Sequence, residues 1–92
     1  MEIPERLEEW IVAYHRISDW MYHFYCRGLP FQSFGIKAVK CDTNGHFRGE
    51  VRIELKDSVH ASLSIPGSFS ETPNETIQKA LQIFIESSLN GH

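Results

Sequence analysis

Ninety-two residues with 41% apolar and 23% charged side chains describe one globular domain rather than a disordered or fibrous chain. A net charge of −3 argues against strong non-specific nucleic-acid binding, which needs clustered Lys and Arg. No apolar run reaches the ~20 residues of a membrane-spanning helix, and the opening Met1-Glu2-Ile3-Pro4-Glu5-Arg6 lacks the basic-then-apolar layout of a secretory signal, so a cytoplasmic protein with no membrane partner is expected.

Taken in chain order, the first element is a helix. Leu7, Trp10, Ile11, Tyr14, Ile17, Met21, Phe24 and Tyr25 recur at three- and four-residue steps, which predicts a helix over about 4–27. Pro4 suits the first helical position, and Glu5, Glu8 and Glu9 favour the positive end of the helix dipole. Arg27-Gly28 and the following Pro30 supply a stop.

Three strands follow, at about 34–41, 47–55 and 59–65. Phe34, Ile36 and Ala38 alternate with Lys37 in the first. Phe47, Gly49, Val51, Ile53 and Leu55 alternate with Arg48, Glu50, Arg52 and Glu54 in the second, and Val59, Ala61, Leu63 and Ile65 with His60, Ser62 and Ser64 in the third. An Asn44-Gly45 hairpin turn pairs Ile36 with Ile53 and Ala38 with Val51. A Lys56-Asp57-Ser58 turn pairs Leu55 with Val59, Ile53 with Ala61 and Val51 with Leu63, again apolar on apolar. Pro66-Gly67 ends the third strand, and residues 68–71 read as a loop. Thr72-Pro73-Asn74-Glu75 is a capping box opening a second helix over about 73–89, whose buried side carries Ile77, Ala80, Leu81, Phe84, Ile85 and Ser88 before the Asn90-Gly91 stop. The expected fold is therefore α+β in two layers, α-β-β-β-α, with a three-stranded antiparallel sheet packed on one face by two helices.

Sites of chemistry are weak. His15, Asp19 and His23 lie four apart, one side of the expected helix, and imidazole and carboxylate groups ligate Zn²⁺. However, His15 and His23 would stand about 12 Å apart along a helix axis, so a solvated polar face is the expected reading and no metal or cofactor is assigned. His60 opposite Glu54, beside Arg52 and Ser62, reads as cross-strand charge pairing rather than an oriented base. Cys41 and His46 flank a turn without a third group to activate the thiol. Cys26 and Cys41 match no metal spacing and are expected reduced. No phosphate-binding Gly-rich loop or nucleophile elbow occurs, so no enzyme is expected.

Charge and aromatic content are unevenly spread. Residues 1–26 hold five acids against Arg6 and Arg16, whereas residues 27–57 hold six bases against four acids. Trp10, Tyr14, Trp20, Tyr22, Phe24 and Tyr25, six of the eleven Phe, Trp and Tyr, fall in the first element. Exposed Trp and Tyr anchor interfaces. The expected function is thus a small non-enzymatic protein-binding module, an accessory, adaptor or inhibitor protein of the size and charge found in phage and mobile elements. It would dock on another protein or a second copy of itself through the aromatic helix, with Trp10, Trp20, Tyr22 and His23 as contacts, or through an exposed sheet edge. The alternative is nucleic-acid binding through Lys37, Lys40, His46, Arg48 and Arg52.

That alternative has a topological basis. The order α-β-β-β-α, with Arg27-Gly28-Leu29-Pro30 leading into the first strand, resembles the double-stranded RNA-binding domain family. The resemblance implies RNA contacts from the first helix, from the loop holding Asn44, Gly45 and His46, and from the start of the second helix. At that last place the chain has Thr72, Pro73, Asn74, Glu75 and Thr76, with no lysine cluster and an acid that repels phosphate.

Overall fold

A computed structural model describes residues 2–41, 45–54 and 60–90. Where the first helix is expected, the chain makes only a single 3-10 turn, Glu5–Leu7, and then a β-hairpin: β1 (Ile11–Ser18) and β2 (Met21–Cys26). The hairpin continues into β3 (Ser33–Lys40), β4 (Phe47–Glu54) and β5 (His60–Ser70), and α1 (Pro73–Asn90) closes the chain. The sheet is a five-stranded antiparallel meander in the order β1-β2-β3-β4-β5. The protein is α+β, but the expected three-stranded sheet packed on one face by two helices is overturned.

The reason lies in residues that satisfy two periods at once. Ile11, Val12, Tyr14, Ile17, Tyr22, Phe24 and Tyr25 are β-branched or aromatic, the side chains that favour a pleated, half-buried surface. Across β2, Tyr22 and Phe24 alternate inward, and they pair with Ile36 and Phe34 of β3. Strand pairing satisfies the backbone of residues 21–26 on β3 while burying both rings, whereas a lone helix depends on packing of its stripe. A turn at Asp19 and Trp20 reverses the chain, and Gly28, with φ of +74°, supplies the left-handed residue leaving β2. The resemblance to the double-stranded RNA-binding fold fails with the first helix.

The later elements match more closely. Between β4 and β5, Val51 pairs with Leu63 and Ile53 with Ala61, as expected. Between β3 and β4 the register is moved by two residues: Phe34 pairs with Ile53, Ile36 with Val51 and Ala38 with Gly49. Cys41 N–H donates to the His46 carbonyl at 2.7 Å, so the connection is longer than a two-residue turn. A shift of two keeps every side chain on its face. The turns expected at Asn44 and at Lys56-Asp57-Ser58, the Leu55–Val59 pair and Gly91 lie outside the described residues. β5 runs past Pro66-Gly67 to Ser70, which a strand at the sheet edge tolerates because the missing proline donor is not needed there.

The core lies between one sheet face and α1. Phe24, Phe34, Ile36 and Val51 meet Ile77, Ala80, Leu81, Phe84 and Ile85, with Leu7 and Ile11 completing the cluster. Each fully buried side chain of this size contributes about 1.5–3 kcal/mol. Thr72 caps α1, its hydroxyl accepting the Glu75 N–H at 3.2 Å. The helix packs on β3, β4 and β5. Beside it on the same face lies the N-terminal segment, tied by an Arg6–Glu86 ion pair at 2.6 Å and by the Gln78 amide donating to the Glu2 carbonyl at 3.3 Å. Among the described residues no helix is long and apolar enough to cross a membrane.

Candidate functional site

Two surfaces of different character emerge. The first follows β1, an edge strand in which every residue from Val12 to Ser18 is exposed. A groove of about 890 Å³ separates the N-terminal segment and α1 from Tyr14. Its walls carry Glu2, Glu5, Glu8 and Glu75 against the single cation Lys79. A depression of about 360 Å³ shares Ile3, Glu8 and Tyr14 with this groove and extends it over Ile11 and Val12. The combined lining thus sets the apolar side chains of Ile3, Ile11, Val12 and Tyr14 beside the acidic residues. A hydrogen bond from Ser70 and the nearby Lys79 ammonium hold the Glu75 carboxyl below the usual carboxylate range, which keeps it charged.

At the far end of β1 stands the hairpin tip. The Trp20 backbone is fixed there, its N–H donating to the Ser18 hydroxyl at 3.2 Å and its carbonyl accepting the Ala38 N–H at 2.8 Å. Trp20 is 56% exposed, and along β1 Ile17 and Val12 are exposed at 53% and 52%. The four expected contact residues do not converge. Tyr22 is buried at 8% exposure, under the ring of Tyr14, and Trp10 is half-buried against Gly28. His23 stands on the opposite sheet face. Of the four, Trp20 is the one that is mostly exposed.

The second surface is the sheet face away from α1. The pairing registers lay His15, His23, Gly35, Arg52 and Ser62 in one row across all five strands. In the next row Lys37 faces Glu50, and Arg48 approaches Glu50 at 3.6 Å. Of the five expected nucleic-acid contacts, Lys37, Arg48 and Arg52 therefore share a face. Lys40, opposite Phe47, alternates to the other side, and His46 lies in the connection beyond it, 3.8 Å from Glu71. Glu54 stands opposite His60 in register.

The hairpin also rearranges His15, Asp19 and His23. The histidines become direct cross-strand partners, with ring centres 5.8 Å apart, while Asp19 turns to pair with Arg16. Among the described residues no group of three or more His, Cys, Asp and Glu is arranged to hold a metal. Cys41 meets His46 through the backbone. Burial pushes the Cys26 thiol up, and it donates to the Phe31 carbonyl at 3.1 Å, the setting of a quiet rather than a reactive cysteine.

Sequence reasoning missed the groove. Glu2, Glu5 and Glu8 recur every third residue, a spacing that reads equally as the first turns of a helix. Only the return of α1 beside the N-terminal segment gathers them with Glu75. In comparisons with known proteins, no family model, no curated protein and no solved structure matches this chain.

Proposed function

We propose that this chain is a non-enzymatic protein-binding module, of accessory, adaptor or inhibitor type, which takes an extended, basic and apolar segment of another protein along β1. The observation that carries the reading is the exposed edge strand β1 beside a groove lined by Ile3 and Tyr14 and by the acids Glu2, Glu5, Glu8 and Glu75. An exposed edge offers unpaired backbone groups to an added strand, which supplies affinity, while the groove supplies specificity through charge. Trp20 and Ile17 extend the apolar contact at the hairpin tip.

A random-peptide display library selected on the purified protein tests this. Enriched sequences should alternate Lys or Arg with apolar residues, and should lose binding to a Glu5→Lys/Glu8→Lys variant. Both glutamates are exposed, so that variant should fold as the parent does. A selection that enriches nothing, or enriches sequences bound equally by the charge-reversed variant, defeats the reading.

Nucleic-acid binding remains a second reading because Lys37, Arg48 and Arg52 share the open face with His15, His23 and Tyr25, rings on which bases could stack. Three phosphate contacts on a single strand would give a salt slope of about −2. A labelled single-stranded oligonucleotide titrated at low and moderate salt measures that slope, and the absence of binding at low salt ends this reading.

A further inference from the structure

We propose that His15 and His23 form a two-histidine chelate for a divalent transition-metal ion of the Zn²⁺ class on the open face of the β1–β2 hairpin. The two residues are direct partners in the antiparallel register, so their imidazoles rise side by side from one face. Their ring centres are 5.8 Å apart with planes at 40°. Two imidazoles on one tetrahedral Zn²⁺, with Zn–N bonds of about 2.0–2.1 Å, have centres roughly 5 Å apart. The observed separation is therefore close to that of two imidazoles on a shared ion. On a helix the same eight-residue spacing would forbid this, and the chain reversal at Asp19 and Trp20 removes the obstacle.

Tyr25 strengthens the case. It is the next residue of β2 on that face, stacked on His15 at 5.8 Å and edge-on to His23 at 5.0 Å. A ring packed against both imidazoles restricts their rotamers, which lowers the ordering cost of chelation. The neighbouring carboxylate of Asp19 is engaged by Arg16, so the chain supplies two ligands. Water fills the remaining positions, as in the open sites that a further ligand can enter.

Zn²⁺ titrated into the full chain by calorimetry, with thermal unfolding followed in parallel, tests the proposal. One Zn²⁺ should bind per chain and raise the thermal midpoint, because the ion binds the folded hairpin in preference to the unfolded chain. His15→Asn and His23→Asn should each weaken the affinity at least tenfold, while His46→Asn and His60→Asn leave it unchanged. Both hairpin variants should keep the parent midpoint without metal, which separates loss of a ligand from loss of the fold. Absence of binding below millimolar Zn²⁺, retention of affinity in either hairpin variant, or its loss in His46→Asn or His60→Asn overturns the site.

Discussion

The backbone of Gly49 lies directly under the methyl group of Ala80, so that β4 and α1 meet there with no room for a second side chain. A Cβ on Gly49 would overlap the Ala80 Cβ and stand 3.2 Å from the Ser68 hydroxyl. Neither the helix backbone nor the hydrogen-bonded serine can retreat cheaply. Gly49→Ala should therefore lower stability by about 1–3 kcal/mol, the usual cost of overpacking, measured by denaturant unfolding. Ala80→Gly added to that variant should recover part of the loss, limited by the ~1 kcal/mol that glycine costs inside a helix. Full stability in Gly49→Ala alone would mean that helix and sheet stand further apart.

Ser68 makes a different kind of contribution at the same place. Its buried hydroxyl accepts the Gly49 N–H at 2.8 Å and donates to the Ile65 carbonyl at 2.6 Å, bridging β4 to the irregular stretch of β5. Ser68→Ala removes both bonds and leaves the Gly49 donor buried without a partner, a loss of about 1–3 kcal/mol. Hydrogen exchange at the Gly49 amide should accelerate in parallel with the shift in the unfolding midpoint. An unchanged exchange rate would show that the amide has another acceptor.

Glu75 should make stability depend on pH in one direction. The Ser70 hydrogen bond and then the Lys79 charge lower its folded pKa below the ordinary 4.5, so the ionised form is the one the fold favours. The resulting stabilisation is present above the unfolded value and lost as pH falls through the lowered folded value. The parent should thus exceed Glu75→Gln in unfolding midpoint at pH 7, and the difference should shrink below about pH 4. Glu75 is exposed, so the difference should also diminish at high salt. A gap that widens with acid would contradict the assignment.

The two tryptophans should separate cleanly. Trp20→Ala removes an exposed indole whose anchoring bonds are all backbone, and should change stability by less than about 0.5 kcal/mol. Trp10 packs on Gly28 and against the core, so Trp10→Ala should cost about 1–3 kcal/mol, less than a fully buried ring. Denaturant unfolding of both variants, with acrylamide quenching of the remaining fluorescence, distinguishes them. Equal destabilisation would place Trp20 in the packing as well.

Much of the second half of the chain was legible from local pattern. Strict alternation through Phe34–Ala38, Phe47–Ile53 and Ala61–Ile65 identified three strands, because period two admits only one pleated solution, although Leu63 of the edge strand β5 stays 46% exposed. Thr72, Pro73 and the apolar spacing from Ile77 to Ile85 located the helix. The alternation of Lys37, Arg48 and Arg52 with apolar neighbours likewise placed them on one face. The first 27 residues were ambiguous by the same logic. Their apolar positions fit a helical stripe, while Tyr22 and Phe24 also fit a strand, and nothing local ranks the two. The free edge of β3 decided between them, since pairing there satisfies the backbone and buries both rings in one step. From that choice came the opposition of His15 to His23, the exposed edge of β1 and the acid-lined groove. Each joins residues distant in sequence, and such proximity is created only when strands pair and the two ends of the chain pack side by side.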